Sequence, residues 1–414
     1  GGGQSGRLVV TGAGTFLTNY SAMYIGQQAA AAGAFVVSNG AKAYTYSSSE
    51  DVRIGSVNNS SLTQSVVLVS DSGSLWNASA NVRISSAAGG DNSMVVSNGA
   101  SVVIGSGALY VGDAAGATGR VVVTGLGSQL RLNGDTLIGG TGGVGRVSIQ
   151  AGATGTFQRL NILSGSSLQV SNSTSVVQGV FTNLGAVTVV NSSVRWQGNT
   201  VLGGTYFSDP STNTFESNVT VTASGSFAGS NGDQFVFYRN VINQSTARTN
   251  FSLWQSAVLF TNGAGTSNHT YDVTGSGSAN WGTGFTNFDR VSTNFAIGTL
   301  SIAPGNRLMI TGQVGGGITN AVYVGWLDIQ GVDFAGVTNY LGVSNVLVNA
   351  LSLPDINLYY SITDHRNDWL TAVIPSTGYD LWNGGGLLLP IPEPSAVLSI
   401  GSAFALLAFF RRRV

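Results

Sequence analysis

Five segments of the chain repeat one another. GRLVVTGAGTFLTNYSAMYIG at 6–26 aligns without a gap with GRVVVTGLGSQLRLNGDTLIG at 119–139, and SVVLVSDSGSLWNASANVRIS at 65–85 fits the same frame. FVVSNGAKAYTYSSSEDVRIG at 35–55 and MVVSNGASVVIGSGALYVG at 94–112 are sister segments. Each unit opens on a β-branched run ending in Thr or Ser and turns through T-G-x-G or S-N-G. It continues in a short strand and closes on an aliphatic residue followed by a small one. The closing aliphatics are Ile25, Ile54, Ile84, Val111 and Ile138, at nearly even intervals along the chain. A fixed period of this size means stacked supersecondary units.

Few architectures fit a period of about 28 residues, which lies within the range of known repeat folds. Propeller blades need roughly 40–45 residues, and the L-x-x-L-x-L grammar of leucine-rich repeats is absent. Helices are disfavoured by the Val, Ile and Thr content and by dense Gly and Asn. What remains is an all-β fold, a parallel β-solenoid in which one repeat makes one coil of two or three short strands. Each strand then pairs with its equivalent one coil away, about 4.8 Å distant. Alternate side chains enter the coil, and Val9, Val36, Val67, Val95 and Val122 are the candidates for one aliphatic core ladder. Gly and Asn at the corners supply the positive φ that sharp bends need.

The pattern loosens after about residue 200. NVTVTASGSF (218–227) and FVFYRNVINQS (235–245) read as strands at drifting intervals, and IGTLSIAPGNRLMITG (297–312) as two strands about Pro304-Gly305. AVYVGWLDIQGVDFAG (321–336) and INLYYSITDHRNDWL (356–370) carry larger aromatics and more charge. This stretch is expected to cap the solenoid, whose last coil would otherwise leave strand edges and core open. The expected division is regular coils at 1–205, irregular coils at 206–296, a capping region at 297–386, a linker at 387–394 and an apolar helix with a basic tail at 395–414. Gly1–Gly6 matches the glycine loop at Gly140–Gly145, so the chain is expected to begin inside a coil of a longer protein.

The tail reads IPEPSAVLSIGSAFALLAFFRRRV, in a chain only 8% charged. The sixteen residues from Ser395 to Phe410 carry no charge. As a helix they span about 24 Å, slightly less than a bilayer core of roughly 30 Å, and snorkelling arginines in a thinner membrane close the gap. Arg411, Arg412 and Arg413 would then lie on the cytoplasmic side and act as a membrane stop. A buried terminal element and a plain tail anchor are the alternatives. A lipid-anchor signal has a similar spacer and apolar tail but needs no terminal basic cluster.

The units V-x-V-T-G-x-G-[ST]-x-[LW], [IV]-G and x-V-V-S-N-G-A resemble the autotransporter-type repeats found in PEP-CTERM proteins, well over residues 1–150 and weakly over 150–215. That resemblance implies a right-handed parallel β-helix. Pro392, Glu393 and Pro394, then the apolar stretch, then the arginines, resemble the PEP-CTERM sorting signal, with its three parts in order between Pro392 and Val414. This second resemblance implies a protein held in the cytoplasmic membrane and cut near the motif by an exosortase, a membrane-embedded, cysteine transpeptidase-like enzyme. The product would go to the cell surface or extracellular matrix of a Gram-negative bacterium that makes exopolysaccharide. The prolines keep the site extended and stop the membrane helix from running into it.

Little else points to chemistry. The 17 basic and 18 acidic residues leave no surplus to neutralise phosphates, so nucleic acid is not an expected partner. With no Cys there are no disulfides and no thiolate metal sites. His269 and His365 lack a second His or a carboxylate at a convincing metal spacing, and Asp364-His365 with Asp368 reads as a polar turn. No G-x-S-x-G elbow occurs, and GGTGGVG at 139–145 lacks the Lys-Ser/Thr ending of a phosphate loop. The chain is therefore not read as an enzyme, and no catalytic residue, metal or cofactor is expected.

One constellation stands out. The residues before the closing aliphatics are Tyr24, Arg53, Arg83, Tyr110 and Leu137. In register they form an outward ladder with two arginines one coil apart, whose repulsion Glu50 or Asp51 could offset. Such a stripe could hold the sugar rings and acidic groups of an exopolysaccharide, against the plainer reading of a solvated face. A lyase-like carbohydrate-active enzyme on the same scaffold is the alternative, and it needs acids and bases converging on one groove.

Overall fold

A β-branched run broken every few residues by Gly or Asn makes short strands and tight corners, and that is what the chain forms. A computed structural model of the chain describes residues 5–27, 31–47, 51–55, 64–245, 250–263, 265–273, 296–312, 321–333, 339–380 and 385–391. Among these residues there are thirty-six strands and two α-helices. The chain divides into two compact units, Gly1–Ser217 and Asn218–Val414.

In the first unit each coil has three strand positions. The first coil places β1 (Gly6–Thr11), β2 (Phe16–Asn19) and β3 (Met23–Ile25), and the second β4 (Gly33–Ser38), β5 (Lys42–Thr45) and β6 (Val52–Ile54). β7 (Val66–Ser70), β8 (Leu75–Ala78) and β9 (Val82–Ile84) follow in the third. Each strand pairs in parallel with its equivalent in the next coil. This is the arrangement of a parallel β-solenoid.

The period is not constant. Gly6 pairs with Gly33 and Asp91 with Thr118, the same step in both places. From Arg146 the coil contracts. Arg146 pairs with Ser167, Ser167 with Ala186 and Ala186 with Thr205, so each turn now takes up less chain. The contraction is shared: two-residue turns at Asn172-Ser173 and Asn191-Ser192 replace the longer T-G-x-G turn, the corner after the closing residue shrinks from residues 85–90 to residues 184–185, and the first strand shortens from Asp91–Ser97 to Ala186–Val190. Both asparagines sit in the left-handed region, at φ 49° and 47°. The weak repeat beyond residue 150 thus reflects a smaller coil that is as regular as the larger one.

The core lies inside the coil, but not on the expected valines. Val9 pairs with Val36, Val36 with Leu68, and Val95 with Leu68 and Val122. Val9 is exposed, Val95 and Val122 are half-buried, and only Val36 of that column is buried. Val67 stands in the neighbouring column with Phe35, Met94 and Val121, all at 0% exposure. The expected ladder therefore mixes two faces of the sheet. The side-chain period is two, so a slip of one residue within a Val-Val run exchanges inside for outside. The closing aliphatics are in register and buried: Ile25, Ile54, Ile84, Val111 and Ile138 form one column.

The small residue after each closing aliphatic turns the corner at positive φ: Gly26, Gly55, Ser85, Gly112 and Gly139. Ser85 is the one non-glycine of the column, at φ 60°. Its hydroxyl donates to the Thr118 carbonyl at 2.5 Å and accepts from the Asn92 backbone N–H at 3.1 Å and side-chain amide at 2.9 Å. Those bonds offset the strain of an L residue there.

The second unit is built from parallel ladders of its own. Strands Gln234–Phe237, Phe251–Phe260, Ala296–Ile302, Ala321–Ile329, Asn357–Ser361 and Leu388–Ile391 pair one after another. The segments expected as cap and linker thus take part in the same kind of pairing. The cap region also holds both described α-helices, Tyr340–Ala350 and Asp368–Thr371. Asn339 caps the longer one by accepting from the Gly342 N–H at 2.9 Å. No helix of the described residues is long and apolar enough to cross a membrane. Pro392, Glu393, Pro394, the apolar stretch 395–410 and Arg411, Arg412 and Arg413 lie outside the described residues.

Candidate functional site

Parallel register carries the outward stripe. Tyr24 pairs with Arg53, Arg53 with Arg83, Arg83 with Tyr110, and Tyr110 with Leu137. Each lies between two inward residues of a short strand; around Arg53 these are Val52 and Ile54, both at 0% exposure. The arginines therefore have to point outward, one directly above the other.

Two carboxylates resolve the conflict. Asp51 accepts from Arg83 Nε at 2.8 Å and from Arg53 Nη2 at 3.3 Å, and its other oxygen accepts from the Asn81 amide at 3.0 Å. Arg83 Nη1 also donates to Asp113 of the following coil. The Arg83 guanidinium carbon stands 3.9 Å from the centre of the Tyr110 ring, a cation–π geometry. Burial acts to raise the Asp51 pKa, but the Asn81 hydrogen bond and the charges of Arg83 and Arg53 hold it below its ordinary value. Glu50 lies outside the described residues. The stripe is thus two cations matched by two carboxylates, and the positive charge expected to meet acidic groups is already compensated.

Beside the stripe is a set of aromatics that sequence reasoning missed. Tyr44 and Tyr46 flank buried Thr45, so alternation turns both rings outward. Tyr46 lies 5.7 Å from Tyr20 at an interplanar angle of 27°, and 6.0 Å from Tyr44 at 9°. Tyr20 is 77% exposed and Tyr46 42%. The signal was the alternating KAYTY of 42–46 beside FLTNY of 16–20, but the later repeats place no tyrosine in either position, so comparing all the repeats averaged it away.

The second unit has a groove of about 950 Å³. It opens where the strand Phe251–Phe260 bulges between Leu253 and Ala257. Trp254, Gly298 and Gly325 line it together with Asp364, His365 and Arg366. The charges here are also internal. Arg366 donates to both oxygens of Asp364, at 2.8 and 2.5 Å, and stands 4.2 Å from the Trp326 ring. His365 meets Asp368 at 3.4 Å on an exposed turn. His269 is buried in a strand, its Nε2 2.9 Å from Asn306 Oδ1. Among the described residues no three His, Cys, Asp or Glu side chains gather to hold a metal ion.

No protein-family model matches the chain, and no curated protein matches it in sequence. The functional reading therefore rests on the residues themselves.

Proposed function

We propose that the protein is an exported, non-enzymatic solenoid of the bacterial cell surface or extracellular matrix, delivered by a PEP-CTERM-type signal. The observation that carries this reading is the order of the tail: Pro392-Glu393-Pro394, sixteen uncharged residues, then Arg411, Arg412 and Arg413. In this reading the coils form a right-handed β-helix. The apolar stretch crosses the cytoplasmic membrane as one helix, and the arginines hold its cytoplasmic end. An exosortase then cuts near the prolines and releases the solenoid. The parallel ladders support a structural role, because every coil adds backbone hydrogen bonds to its neighbours.

The deciding experiment is mass spectrometry of the C-terminal peptide of the mature protein from its native host. A last peptide ending near Pro392–Pro394, bare or with added mass, is the expected result. An intact peptide through Val414 would make the tail a lasting membrane anchor and overturn the exosortase step. A carbohydrate-binding reading is favoured by the exposed, stacked Tyr20 and Tyr46 beside the stripe. A lyase-like activity is not, since Arg53 and Arg83 are already engaged by Asp51 and Asp113.

A further inference from the structure

The geometry points to a glycan-binding platform at Tyr20, Tyr44 and Tyr46, and we infer that its ligand is a neutral polysaccharide rather than an acidic one. The inference deepens the surface-protein reading and rests on it for the setting, though not for the chemistry.

Tyr20 and Tyr46 are exposed and Tyr44 is half-buried, and the three rings are near-parallel and held in place. Tyr44 is fixed on β5 by its register with Thr18 on β2. The Tyr46 N–H donates to the Asn19 carbonyl at 2.7 Å. Tyr20 stands in a turn closed by Asn19, whose amide donates to the Ser21 carbonyl at 2.8 Å and whose Oδ1 accepts from the Ser21 N–H at 3.2 Å. Exposed aromatics clustered at the ends of two paired strands mark an interaction surface, and fixing them beforehand lowers the cost of binding.

The neighbours decide the ligand class. A protein partner would need an apolar core around the rings, whereas Tyr44 lies between Thr18 and Asn77 in register and the exposed Phe16 sits at the far end of β2, beside Lys42. A pyranose chain presents an apolar C–H face and a rim of hydroxyls, which suits ring faces bordered by phenol, hydroxyl and amide groups. An acidic polymer would need uncompensated cations. Arg53 and Arg83 are paired with Asp51 and Asp113, which leaves Lys42 as the cation on β5.

The test uses the full chain in affinity electrophoresis through gels containing a soluble β-glucan, a galactomannan or alginate, at low and high salt. Retardation by at least one neutral polymer, unchanged by salt, is expected. Tyr20→Ala and Tyr46→Ala should each weaken it about tenfold, the loss of one substantial interface contact. Tyr20→Phe should retain it, and Lys42→Gln should leave it unchanged. Far-UV circular dichroism melts of the variants should match the parent, since these side chains are exposed. The inference is overturned if no neutral polymer retards the protein, or if the tyrosine variants bind like the parent. It is equally overturned if alginate alone binds in a salt-sensitive way that Lys42→Gln abolishes, or if sedimentation shows self-association through these tyrosines. None of these outcomes touches the tail, so the sorting proposal stands or falls on its own peptide measurement.

Discussion

Arg83 and Asp51 are far apart in sequence and meet at 2.8 Å because parallel register places them one coil apart. The same guanidinium reaches Asp113 in the next coil. One side chain therefore ties three successive coils on the outside of the sheet, as the closing aliphatics tie them on the inside.

Removing the Asp51 charge should leave Arg53 without its carboxylate and Arg83 held by Asp113 alone, so that the two cations repel more strongly. Asp51→Asn is expected to lower stability by about 1–2 kcal/mol, reduced from the value of a fully buried pair because Arg53 is partly solvated. Arg53→Ala made in the Asp51→Asn background should recover part of that loss. A double-mutant cycle followed by thermal melts measures it, and strict additivity of the two changes would refute the coupling.

The same carboxylate predicts a pH dependence. Asp51 is held below its ordinary pKa of 3.8 when folded. Its contribution is therefore fully present above that value and is lost as pH falls through the lower folded pKa. The parent should lose stability relative to Asp51→Asn on acidification below about pH 4. Parallel melts of the two proteins between neutral and strongly acid pH would read this, and curves that keep a constant separation would contradict it.

How much could be read beforehand differs from residue to residue. The period, the parallel coil and the column from Ile25 to Ile138 followed from spacing, because a strand-period pattern repeated at a fixed interval has few solutions. The outward position of Tyr24, Arg53, Arg83 and Tyr110 followed from the same frame. The inward valines did not, since neighbouring β-branched residues carry no mark of which face they occupy. Asp113 was not legible either, because it lies past the end of its strand and meets Arg83 only once the corner has turned. The contraction of the coils between Ser167 and Thr205 was hidden by turns of a different length.

Close packing at the corners gives a third prediction. A Cβ on Gly119 would lie 2.4 Å from the Gly112 nitrogen and 2.7 Å from the Ile84 carbonyl oxygen. Both are backbone atoms of stacked coils, so neither can move without shifting the register. Gly119→Ala should cost about 2–4 kcal/mol, whereas Arg120→Ala, one residue on and exposed, should stay within about 0.5 kcal/mol. Comparable melting temperatures for the two variants would show that the corner has room.

The assignment of faces can be tested on three consecutive valines. Val121 and Val123 are at 0% exposure, while Val122 between them is half-buried and faces outward. Valine and threonine have nearly the same shape, so the exchange isolates the cost of placing a hydroxyl. Inside the coil that hydroxyl competes with apolar neighbours in the columns of Phe35, Val67 and Met94, and of Val37, Val69 and Val96, where no water can reach it. Burial of an unpartnered hydroxyl costs about 1–3 kcal/mol. Val121→Thr and Val123→Thr should each lose that much, and Val122→Thr, whose hydroxyl stays in contact with solvent, should lie within about 0.5 kcal/mol of the parent. Denaturant midpoints read the three values. A large loss at Val122 with small losses on either side would mean that the strand Thr118–Thr124 is turned over, and the outward stripe and the tyrosine platform would have to be re-placed with it.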